Sequence, residues 1–517
     1  MVTEYRPEPL ADFSRAEDRE TMGAALKYVE ERLGQDYPLV IDGVRVSDGD
    51  GVIVSSDPGS PSRTVGRVTK ATAAHIDAAM DAAWRAFPAW GRAAPQDRVA
   101  LLYRAAAIMR RRRWELSAWE VWEAGKTWAE AYGDVAEAID FLEYYGRQAE
   151  RLAGPVPVTP LPGEATSAFY IPLGVGAIIP PWNFPLAILT GMTSGAVVAG
   201  NAVLLKPASA TPVIAAKFME IMEAAGLPPG VINFVPGSGD AIGDHLVSHP
   251  RTRFVSFTGS REVGLHINQL AAGASPGQRW IKRVVAEMGG KDAIVVDETA
   301  DIDAAAAAIV ASAYGFQGQK CSACSRAIVV DAVYNQVAER VAAGTRALRL
   351  GAAEDPASQM GPVIDDKAYQ KILGYVRWGK ENARLLAGGG ARSPEEGYFI
   401  EPTVFGDVDP RSRLGQEEIF GPVLALIRAR DFDHALELAN DTEYGLTGSL
   451  YTGRMERMAR ARRDLHVGNL YINRKSTGAV VGAHPFGGFN MSGTDSKTGS
   501  PDYLLLFMQM KAVSEQL

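Results

Sequence analysis

VGAIIPPWNFPLAILTGMTSGAVVAGNAVLLKP, residues 175–207, is the most informative part of this chain for its fold. It opens and closes with short apolar runs, Val175–Ile179 and Ala202–Leu205, of the kind found in strands buried on both faces of a parallel sheet. Residues 165–205 carry no charge, but prolines, asparagines and glycines interrupt them too often for a membrane helix of about twenty apolar residues. The stretch therefore predicts buried strands joined by turns.

The same pattern extends towards the C-terminus, where apolar runs alternate with helical segments. Val231–Val235 and Arg253–Phe257 are two more predicted strands, and Pro212–Ala225 and Gly239–His249 are predicted helices. Strands that alternate with helices of this length indicate a doubly wound parallel sheet.

A second α/β series follows residues 287–291, where we place the junction between two domains. Its predicted strands are 293–296, 327–330, 423–427 and 448–451, and its predicted helices are 303–316 and 431–440. Before the first series, residues 71–148 have helical spacing, and the proline-containing residues 154–172 predict an extended flap. The predicted fold class is α/β, with two doubly wound α/β domains, a β-flap and a C-terminal tail.

Composition and charge exclude several classes of function. The chain has 517 residues, with 53 Lys and Arg against 61 Asp and Glu, so its formal net charge is −8. A mildly acidic chain lacks the concentrated basic surface that nucleic acids need. Two cysteines cannot form a disulfide framework, which indicates a reducing, cytoplasmic compartment. Residues 1–19 have neither the apolar core of a signal peptide nor the acid-poor character of a transit peptide.

The two cysteines lie in QGQKCSAC, residues 317–324, where several kinds of chemistry are open. A zinc site would need further Cys or His ligands at suitable spacing, and no histidine lies nearby. A redox pair would be expected after a strand in a small fold. Alternatively, Cys321 is a nucleophile exposed by a glycine-containing turn, with Cys324 as an inert neighbour. A buried structural role for both cysteines also remains open from these residues alone.

Four polar side chains next to glycine or proline are candidates for binding or catalysis. Glu287 is either a carboxylate of a surface turn or a general base, and Asn183 is either part of an ordinary turn or a rigid donor to an oxyanion. Lys206 follows a strand at the edge of the sheet where nucleotides bind. Ser260 precedes a helix whose N-terminus offers unpaired N–H groups to a pyrophosphate.

Together these segments resemble the aldehyde dehydrogenase superfamily, in the family's order and over nearly the whole chain. The matching motifs are PWNF (181–184), KP (206–207), FTGS (257–260), EMGGK (287–291), GQKC (318–321), EIFGP (418–422) and PFGG (485–488). The resemblance implies that Cys321 attacks the aldehyde carbon, while the Asn183 amide and the Cys321 backbone N–H stabilise the oxyanion. After oxidation by NAD, Glu287 would activate the water that hydrolyses the thioester.

The resemblance also implies a dinucleotide site in the first domain. Its residues are Pro181, Trp182, Lys206, Ser209, Gly239, Gly259, Ser260, Glu418 and Phe420. Lys206 would bind the adenosine ribose, Ser260 the pyrophosphate and Glu418 the nicotinamide ribose. Strictly NAD-dependent members have a glutamate where this chain has Ser209, and a carboxylate there repels a 2′-phosphate. We therefore expect NAD as the preferred cofactor, measurable activity with NADP, and no metal.

Within the superfamily, this chain is most similar to stand-alone enzymes that oxidise L-glutamate γ-semialdehyde to L-glutamate in proline catabolism. The matching segments are residues 127–141, 319–326 and 471–479. The substrate-binding residues implied by this resemblance are Glu137, Phe184, Ser322, Gly478, Ala479 and Phe486. Glu137 would accept from the substrate ammonium, although its residue type alone also fits a solvated helix carboxylate. The alternatives are a dehydrogenase for another semialdehyde, such as succinate semialdehyde, and a non-catalytic relative of the fold.

The resemblance also implies domain boundaries and an assembly. Residues 1–152 and 171–287 would form a Rossmann-like NAD-binding domain and residues 288–480 the catalytic thiol domain; 153–170 and 496–517 would form an oligomerisation flap and tail. Because flap and tail exchange between protomers in the family, we expect a homodimer or a higher assembly of dimers.

We expect a small-molecule substrate and neither nucleic acid nor membrane as a partner. A length of 517 residues leaves no room for the proline-oxidising domain of bifunctional relatives.

Overall fold

The computed structural model describes residues 4–517; residues 1–3, the start of the range 1–152 expected in the NAD-binding domain, lie outside the described residues. The helices are α1 (Ala16–Glu30), α2 (Ala73–Arg92), α3 (Pro95–Arg111), α4 (Arg113–Ala124), α5 (Trp128–Leu152), α6 (Ala187–Val198), α7 (Pro212–Ala224), α8 (Asp244–Ser248), α9 (Arg261–Ala272), α10 (Ile302–Tyr314), α11 (Asp331–Ala347), α12 (Asp366–Asn382), α13 (Arg413–Gln416), α14 (Phe432–Asn440) and α15 (Met455–Asp464). The strands are β1 (Gln35–Tyr37), β2 (Leu39–Ile41), β3 (Val44–Val46), β4 (Val52–Asp57), β5 (Ser60–Thr69), β6 (Glu164–Pro172), β7 (Val175–Ile179), β8 (Ala202–Leu205), β9 (Ile232–Phe234), β10 (Phe254–Thr258), β11 (Arg283–Glu287), β12 (Ala293–Val296), β13 (Arg326–Val330), β14 (Arg384–Ala387), β15 (Thr403–Gly406), β16 (Val423–Ala429), β17 (Tyr444–Gly445), β18 (Thr447–Tyr451), β19 (Asn469–Ile472), β20 (Phe489–Asn490) and β21 (Met508–Gln516).

The first large sheet has the strand order β11-β10-β7-β8-β9-β2-β3. It is parallel from β11 to β9, and the edge strands β2 and β3 are antiparallel. Every residue of β7 and β8 is buried, as their uninterrupted apolar runs predict. The doubly wound sheet expected from residues 175–257 is confirmed, and the carboxyl ends of its parallel strands lie along one edge.

Between β7 and β8 the expectation of strands and turns is wrong, because residues 187–198 form the helix α6. Only Ile188 within α6 is partly exposed, and the rest of the helix is buried. A helix that is apolar on all sides has no amphipathic period, so its sequence looks like that of a buried strand. At 12 residues α6 is short, and no helix within residues 4–517 is both long and apolar enough to cross a membrane.

The second large sheet has the order β14-β15-β16-β13-β12-β18-β19. It is parallel except for β14, which runs antiparallel to β15 at one edge. The predicted strands in this half coincide with β12, β13, β16 and β18, and the predicted helices with α10 and α14. The expected second α/β unit is therefore confirmed.

A two-stranded antiparallel ribbon joins the expected flap to the C-terminal tail. β6 pairs with β21 along its whole length, from Pro172 opposite Met508 to Glu164 opposite Gln516. All residues of β21 after Met508 are exposed. The guanidinium of Arg283 donates to the carbonyls of Leu506 (2.7 Å) and Met508 (3.0 Å), which fastens the base of the ribbon to the first sheet.

Candidate active site

The two sheets meet where the candidate base and the candidate nucleophile lie. β11 ends at Glu287 on the edge of the first sheet, and β12 begins at Ala293 inside the second sheet. Cys321 follows α10 and a tight turn, residues 315–318. In the short connector that starts after Glu287, a Cβ at Gly290 would lie 2.5 Å from the carbonyl oxygen of Cys321, so the connector packs directly against the cysteine.

The turn before Cys321 has a left-handed backbone in three consecutive residues. Phe316, Gln317 and Gly318 have φ angles of 47°, 55° and 68°. A left-handed conformation costs a residue other than glycine about 1–3 kcal/mol, so the surrounding structure must hold the turn in place. The side-chain amide of Gln317 does so by donating to the carbonyl of Pro362 at 2.7 Å. The turn thereby fixes the position of the thiol.

Cys321 is a free cysteine and is half-buried. Burial raises the pKa of Cys321 well above its usual value, and Asp292, Glu418 and Glu287 raise it further by repelling a thiolate. A nucleophilic role therefore requires a base that takes the thiol proton as the sulfur attacks.

Asn183, predicted to donate to an oxyanion, lies on the loop after β7 and is buried. Its Nδ2 donates to the carbonyl of Gln319 at 3.0 Å, two residues before Cys321. An amide nitrogen carries two hydrogens, so a second N–H is available to a substrate oxygen beside the thiol. The structure thus brings Asn183 and Cys321 into one site.

Glu287 is buried at the end of β11, and its two carboxylate oxygens differ in their hydrogen bonds. Oε1 accepts from the backbone N–H of Ser496 (3.3 Å) and from its hydroxyl (2.5 Å). Oε2 is buried and has no hydrogen-bond partner within residues 4–517. Burial raises the pKa of Glu287 to about 7, with the two Ser496 hydrogen bonds acting in the opposite direction. A carboxylate with a pKa near neutrality suits a general base.

The surroundings of Lys206 indicate whether a dinucleotide can bind at the edge of the first sheet. Lys206 follows β8 at the carboxyl edge and is buried, yet among residues 4–517 its ammonium donates only to the carbonyls of Pro207 (3.3 Å) and Gly237 (3.2 Å). Burial lowers the pKa of Lys206 to about 8. A buried ammonium bound only to carbonyl groups suits the hydroxyl groups of a ribose. The exposed Ser209 and Gly239 follow β8 and β9 at the same edge.

Two further expected cofactor residues have suitable local geometry. Ser260 caps α9, and Gly259 before it donates its N–H to the carbonyl of Glu287 at 3.1 Å, so this helix N-terminus lies beside Glu287. Oε1 of Glu418 accepts from the backbone N–H of Gly290 at 2.9 Å. Burial raises the pKa of Glu418. The positive end of α9 and the Glu418 carboxylate therefore frame the connector between the sheets.

The aromatic members of the expected cofactor site form a cluster. Trp182, which follows Pro181, packs edge-on against Phe420 with ring centroids 5.5 Å apart and against Phe316 at 6.4 Å. Phe420 has a φ of 59°, so its backbone too is left-handed. The contact between Trp182 and Phe316 joins the loop after β7 to the turn before Cys321.

Phe184, on the loop after β7, and Glu137, on α5, are the residues expected at one end of the substrate site. The ammonium groups of Lys126 and Lys320 lie 4.7 Å and 5.9 Å from the centre of the Phe184 ring. Burial and then Asp134 raise the pKa of Glu137 to about 8. Its carboxylate makes no hydrogen bond or ion pair within residues 4–517, so it is available to a cationic ligand.

The remaining predicted substrate residues come from three segments. The carbonyl of Ser322 accepts from the Ser476 hydroxyl at 3.4 Å, which ties the nucleophile loop to the turn that contains Gly478 and Ala479. The backbone N–H groups of Gly478 and Ala479 donate to no acceptor within residues 4–517. Two free N–H groups in one turn suit a carboxylate. Phe486 is half-buried, and its backbone N–H donates to the carbonyl of Thr498 at 2.8 Å.

Three groups at this site escaped the sequence analysis. Ser496 bonds to Glu287, although the expected domain division assigns it to the tail. Lys320, next to Cys321, pairs with Glu130 at 2.7 Å. Lys126 is buried between Asp134 and Glu120 behind Phe184. The position of Lys320 in the GQKC motif was a usable signal, whereas no local pattern marks Ser496.

Three comparisons with known proteins point to the same family. A model of the aldehyde dehydrogenase family matches residues 46–513. A 1-pyrroline-5-carboxylate dehydrogenase of Geobacillus kaustophilus (strain HTA426) is 59% identical over 515 residues, with 100% of both chains covered. The structure of a 1-pyrroline-5-carboxylate dehydrogenase from Thermus with bound NAD is 53% identical, covers 100% of both chains and has a TM-score of 0.98. Proline utilization A from Bdellovibrio bacteriovorus is 45% identical with a TM-score of 0.97, over 99% of this chain and 53% of that chain.

Proposed function

The chain belongs to the aldehyde dehydrogenase family, and from this premise we propose that it oxidises L-glutamate γ-semialdehyde, the open form of 1-pyrroline-5-carboxylate, to L-glutamate with NAD in proline catabolism. The observation that carries the proposal is the convergence of Cys321, Asn183 and Glu287 at the junction of the two sheets. Relatives named for this reaction match the chain over its full length.

The first step is capture of the aldehyde by Cys321. As the sulfur bonds to the aldehyde carbon, the thiol proton passes to a base, and the carbonyl oxygen becomes an oxyanion. Glu287 is the nearby carboxylate whose pKa of about 7 suits that base. The free N–H of the Asn183 amide and the backbone N–H of Cys321 stabilise the oxyanion, a contribution of about 3 kcal/mol for each donor.

The oxidation step requires a bound dinucleotide, and this chain supplies its binding groups. NAD, when bound, accepts the hydrogen and the electron pair that leave the aldehyde carbon. Lys206 would hold the adenosine ribose, the N-terminus of α9 at Ser260 the pyrophosphate, and Glu418 the second ribose. Trp182 and Phe420 would exclude water from the reacting carbon. The product at this stage is a thioester on Cys321.

Hydrolysis of the thioester returns the enzyme to its starting state. Glu287 first releases to solvent the proton that it took from the thiol. A water oxygen then attacks the acyl carbon while Oε2 of Glu287 takes a proton from that water, and the carbon–sulfur bond breaks. The departing thiolate recovers a proton and the carboxylic acid leaves. Because Oε2 has no partner within residues 4–517, it is the oxygen available for this transfer.

The far end of the site supports an amino acid aldehyde as the substrate. Glu137 presents an unpartnered carboxyl group, and a bound ammonium would favour its charged form and lower its raised pKa, so the two can pair. The free N–H groups of Gly478 and Ala479 suit an α-carboxylate. Ser322 lies beside that turn, and Phe184 and Phe486 would enclose the methylene chain. Succinate semialdehyde, the alternative substrate, has no ammonium group to bind Glu137.

The proposed substrate is tested by comparing 1-pyrroline-5-carboxylate with succinate semialdehyde in an assay of NADH formation at 340 nm. We expect the wild-type chain to prefer the first substrate, and Glu137→Gln to lower the ratio of the two kcat/KM values by about tenfold or more. Loss of the carboxylate removes an ion pair that only the amino-bearing substrate makes.

The matched control is Glu143→Gln on the same helix, because Glu143 pairs with Arg110 and Arg147 instead of facing the site. This control should leave the ratio unchanged. Equal activity of the wild-type chain on both substrates would overturn the assignment to glutamate semialdehyde. An unchanged ratio in Glu137→Gln would overturn the role of Glu137.

We also predict NAD preference with measurable activity on NADP. Ser209 is exposed after β8 and carries no charge, so nothing at this position repels a 2′-phosphate. Ser209→Glu should lower kcat/KM for NADP by about tenfold while changing that for NAD by less than about twofold. Ser209→Gln, which is neutral and of similar size, is the control. No turnover of NADP by the wild-type chain at saturating cofactor would contradict the prediction.

We further propose a homodimer, or an assembly of dimers, formed through the ribbon of β6 and β21. The ribbon exposes Phe169, Met510 and Val513 to solvent, with fractional exposures of 38%, 52% and 39%. Phe169 and Val513 lie on one face of the ribbon and Met510 on the other. Large exposed apolar side chains favour contact with a second copy. A cytoplasmic location is proposed because Cys321 and Cys324 are both free thiols. The domain division given above also stays a proposal.

A further inference from the structure

Ser496 lies 209 residues after Glu287 and contacts its carboxylate directly. We propose that Ser496 is the positioning residue of the general base: it holds one oxygen of Glu287 and leaves the other free to take a proton from water. The inference rests on the proposed function, because it assigns a role in thioester hydrolysis.

The hydrogen bonds of Glu287 are unevenly distributed. Both donors of Ser496, the backbone N–H at 3.3 Å and the hydroxyl at 2.5 Å, bind Oε1. Oε2 is equally buried but has no partner within residues 4–517. Buried carboxylate oxygens are normally satisfied, so an orphaned oxygen beside a nucleophile indicates a place for a reactant.

The loop that carries Ser496 is held in a strained shape. Asp495 and Lys497, on either side of Ser496, have left-handed backbones with φ angles of 54° and 48°. The ammonium of Lys497 donates to the carbonyls of Gly468 and Gly487, both at 2.8 Å. Backbone strain that the surroundings enforce is concentrated at functional sites, and here it aims both donors of Ser496 at one atom.

Glycine on two sides lets the carboxylate fit against this loop. A Cβ at Gly487 would lie 3.0 Å from Oε1 of Glu287, and a Cβ at Gly493 would lie 2.6 Å from the carbonyl oxygen of Ala286. The carboxylate therefore has little room to rotate, and its orientation depends on what Oε1 binds.

Other titratable groups also face Glu287. Lys497 lowers the pKa of Glu287 by its charge, while the Cys321 thiol and the Tyr503 hydroxyl are themselves held protonated in part by the Glu287 carboxylate. Ser496 is the side chain that binds the carboxylate directly, and the backbone N–H of Gly488 also lowers the pKa of Glu287. The Ser496 hydroxyl stabilises the charged form, so its removal should raise the pKa of Glu287.

The test is Ser496→Ala, followed by stopped-flow NADH formation with saturating NAD and 1-pyrroline-5-carboxylate from pH 6 to 9. We expect a burst of about one NADH per site followed by a steady-state rate about tenfold lower than that of the wild-type chain. The midpoint of the rising limb should move up by about one pH unit. Intact-protein mass spectrometry should show acyl-enzyme accumulating on Cys321.

Two variants separate positioning from a structural effect on the loop. Ser496→Thr keeps the hydroxyl and should restore the wild-type midpoint, and Ser496→Cys keeps the volume with a weaker donor and should shift it as alanine does. Thr494→Val is the matched control. The Thr494 hydroxyl binds the backbone N–H (3.0 Å) and carbonyl (3.3 Å) of Ala286 in the same loop–strand contact, but not the carboxylate.

Each result has a defined consequence. A midpoint shift with acyl-enzyme accumulation in Ser496→Ala and Ser496→Cys, absent in Thr494→Val, would support the role of Ser496. An unchanged midpoint, or an equal shift in Thr494→Val, would overturn it while leaving the aldehyde oxidation intact. Absence of NADH formation by the wild-type chain with either semialdehyde would overturn the proposed function and this inference with it.

Discussion

Replacing Cys321 by serine is expected to lower NADH formation from every aldehyde by at least about 10⁴-fold. A hydroxyl is far less acidic than a thiol. Burial and the carboxylates of Asp292, Glu418 and Glu287 already oppose ionisation at this position. A serine oxygen would therefore stay protonated and unreactive, while the dinucleotide site around Lys206, on the other sheet, would remain. The measurement is NADH formation at 340 nm together with NAD binding by quenching of tryptophan fluorescence.

Cys324→Ser provides the control for this substitution. Cys324 is buried three residues further on, and its sulfur donates to the carbonyl of Arg326 at 3.3 Å, a bond that a serine hydroxyl can also make. This variant should keep most of the activity. Loss of activity in Cys324→Ser with activity retained in Cys321→Ser would contradict the assignment of the nucleophile and favour the second cysteine.

Replacing Glu287 by glutamine is expected to slow both half-reactions, hydrolysis of the thioester more than capture of the aldehyde. An amide cannot take a proton from water, so the steady-state rate should fall by about 10²–10³-fold, which is typical for loss of a general base. The remaining activity should appear as a burst of NADH no larger than one per site and slower than in the wild-type chain, because Glu287 also takes the thiol proton, with an acylated Cys321 detectable by mass spectrometry. A steady-state rate close to that of the wild-type chain would contradict the assignment.

The pH dependence of the wild-type chain follows from the same carboxylate. Burial raises the pKa of Glu287 to about 7, so below this pH the group is protonated and cannot accept a proton. When hydrolysis limits turnover, kcat should therefore rise with pH through about 7. In Glu287→Gln this limb should disappear. Glu417→Gln, which removes an exposed carboxylate paired with Arg413, should leave it in place.

Uninterrupted apolar runs made most strands of the two large sheets predictable. The sequence of α6, in contrast, did not reveal that it forms a helix. β7, β8 and β12 coincide with their predicted ranges because glycine, proline or charged residues bound each run. α6 was missed because a helix buried on all sides lacks the period that distinguishes it from a strand. The short strands β1 to β3 give no pattern long enough to be recognised.

The candidate site was predictable where a motif places a side chain next to its own strand or turn. Lys206 follows a strand directly, Glu287 ends a strand and Asn183 lies on the loop after one, so local sequence marks them. Ser496 could not be predicted in this way, because its contact with Glu287 depends on a loop that tertiary structure folds back. The pKa of Glu287 is likewise a property of burial in the assembled fold, which no local pattern carries.

The connector between β11 and β12 divides the chemistry between two structural halves, with consequences for redesign. The thiol is positioned by the second sheet, and the carboxylate proposed to hydrolyse the acyl group is positioned by the edge strand of the first sheet. Substitutions around Cys321 would therefore alter which aldehyde is captured. Substitutions along β11 and the loop at Ser496 would alter which acceptor receives the acyl group. An engineer who wants an acyl-transferring catalyst instead of a hydrolytic one should leave the capture half intact and begin at the edge strand.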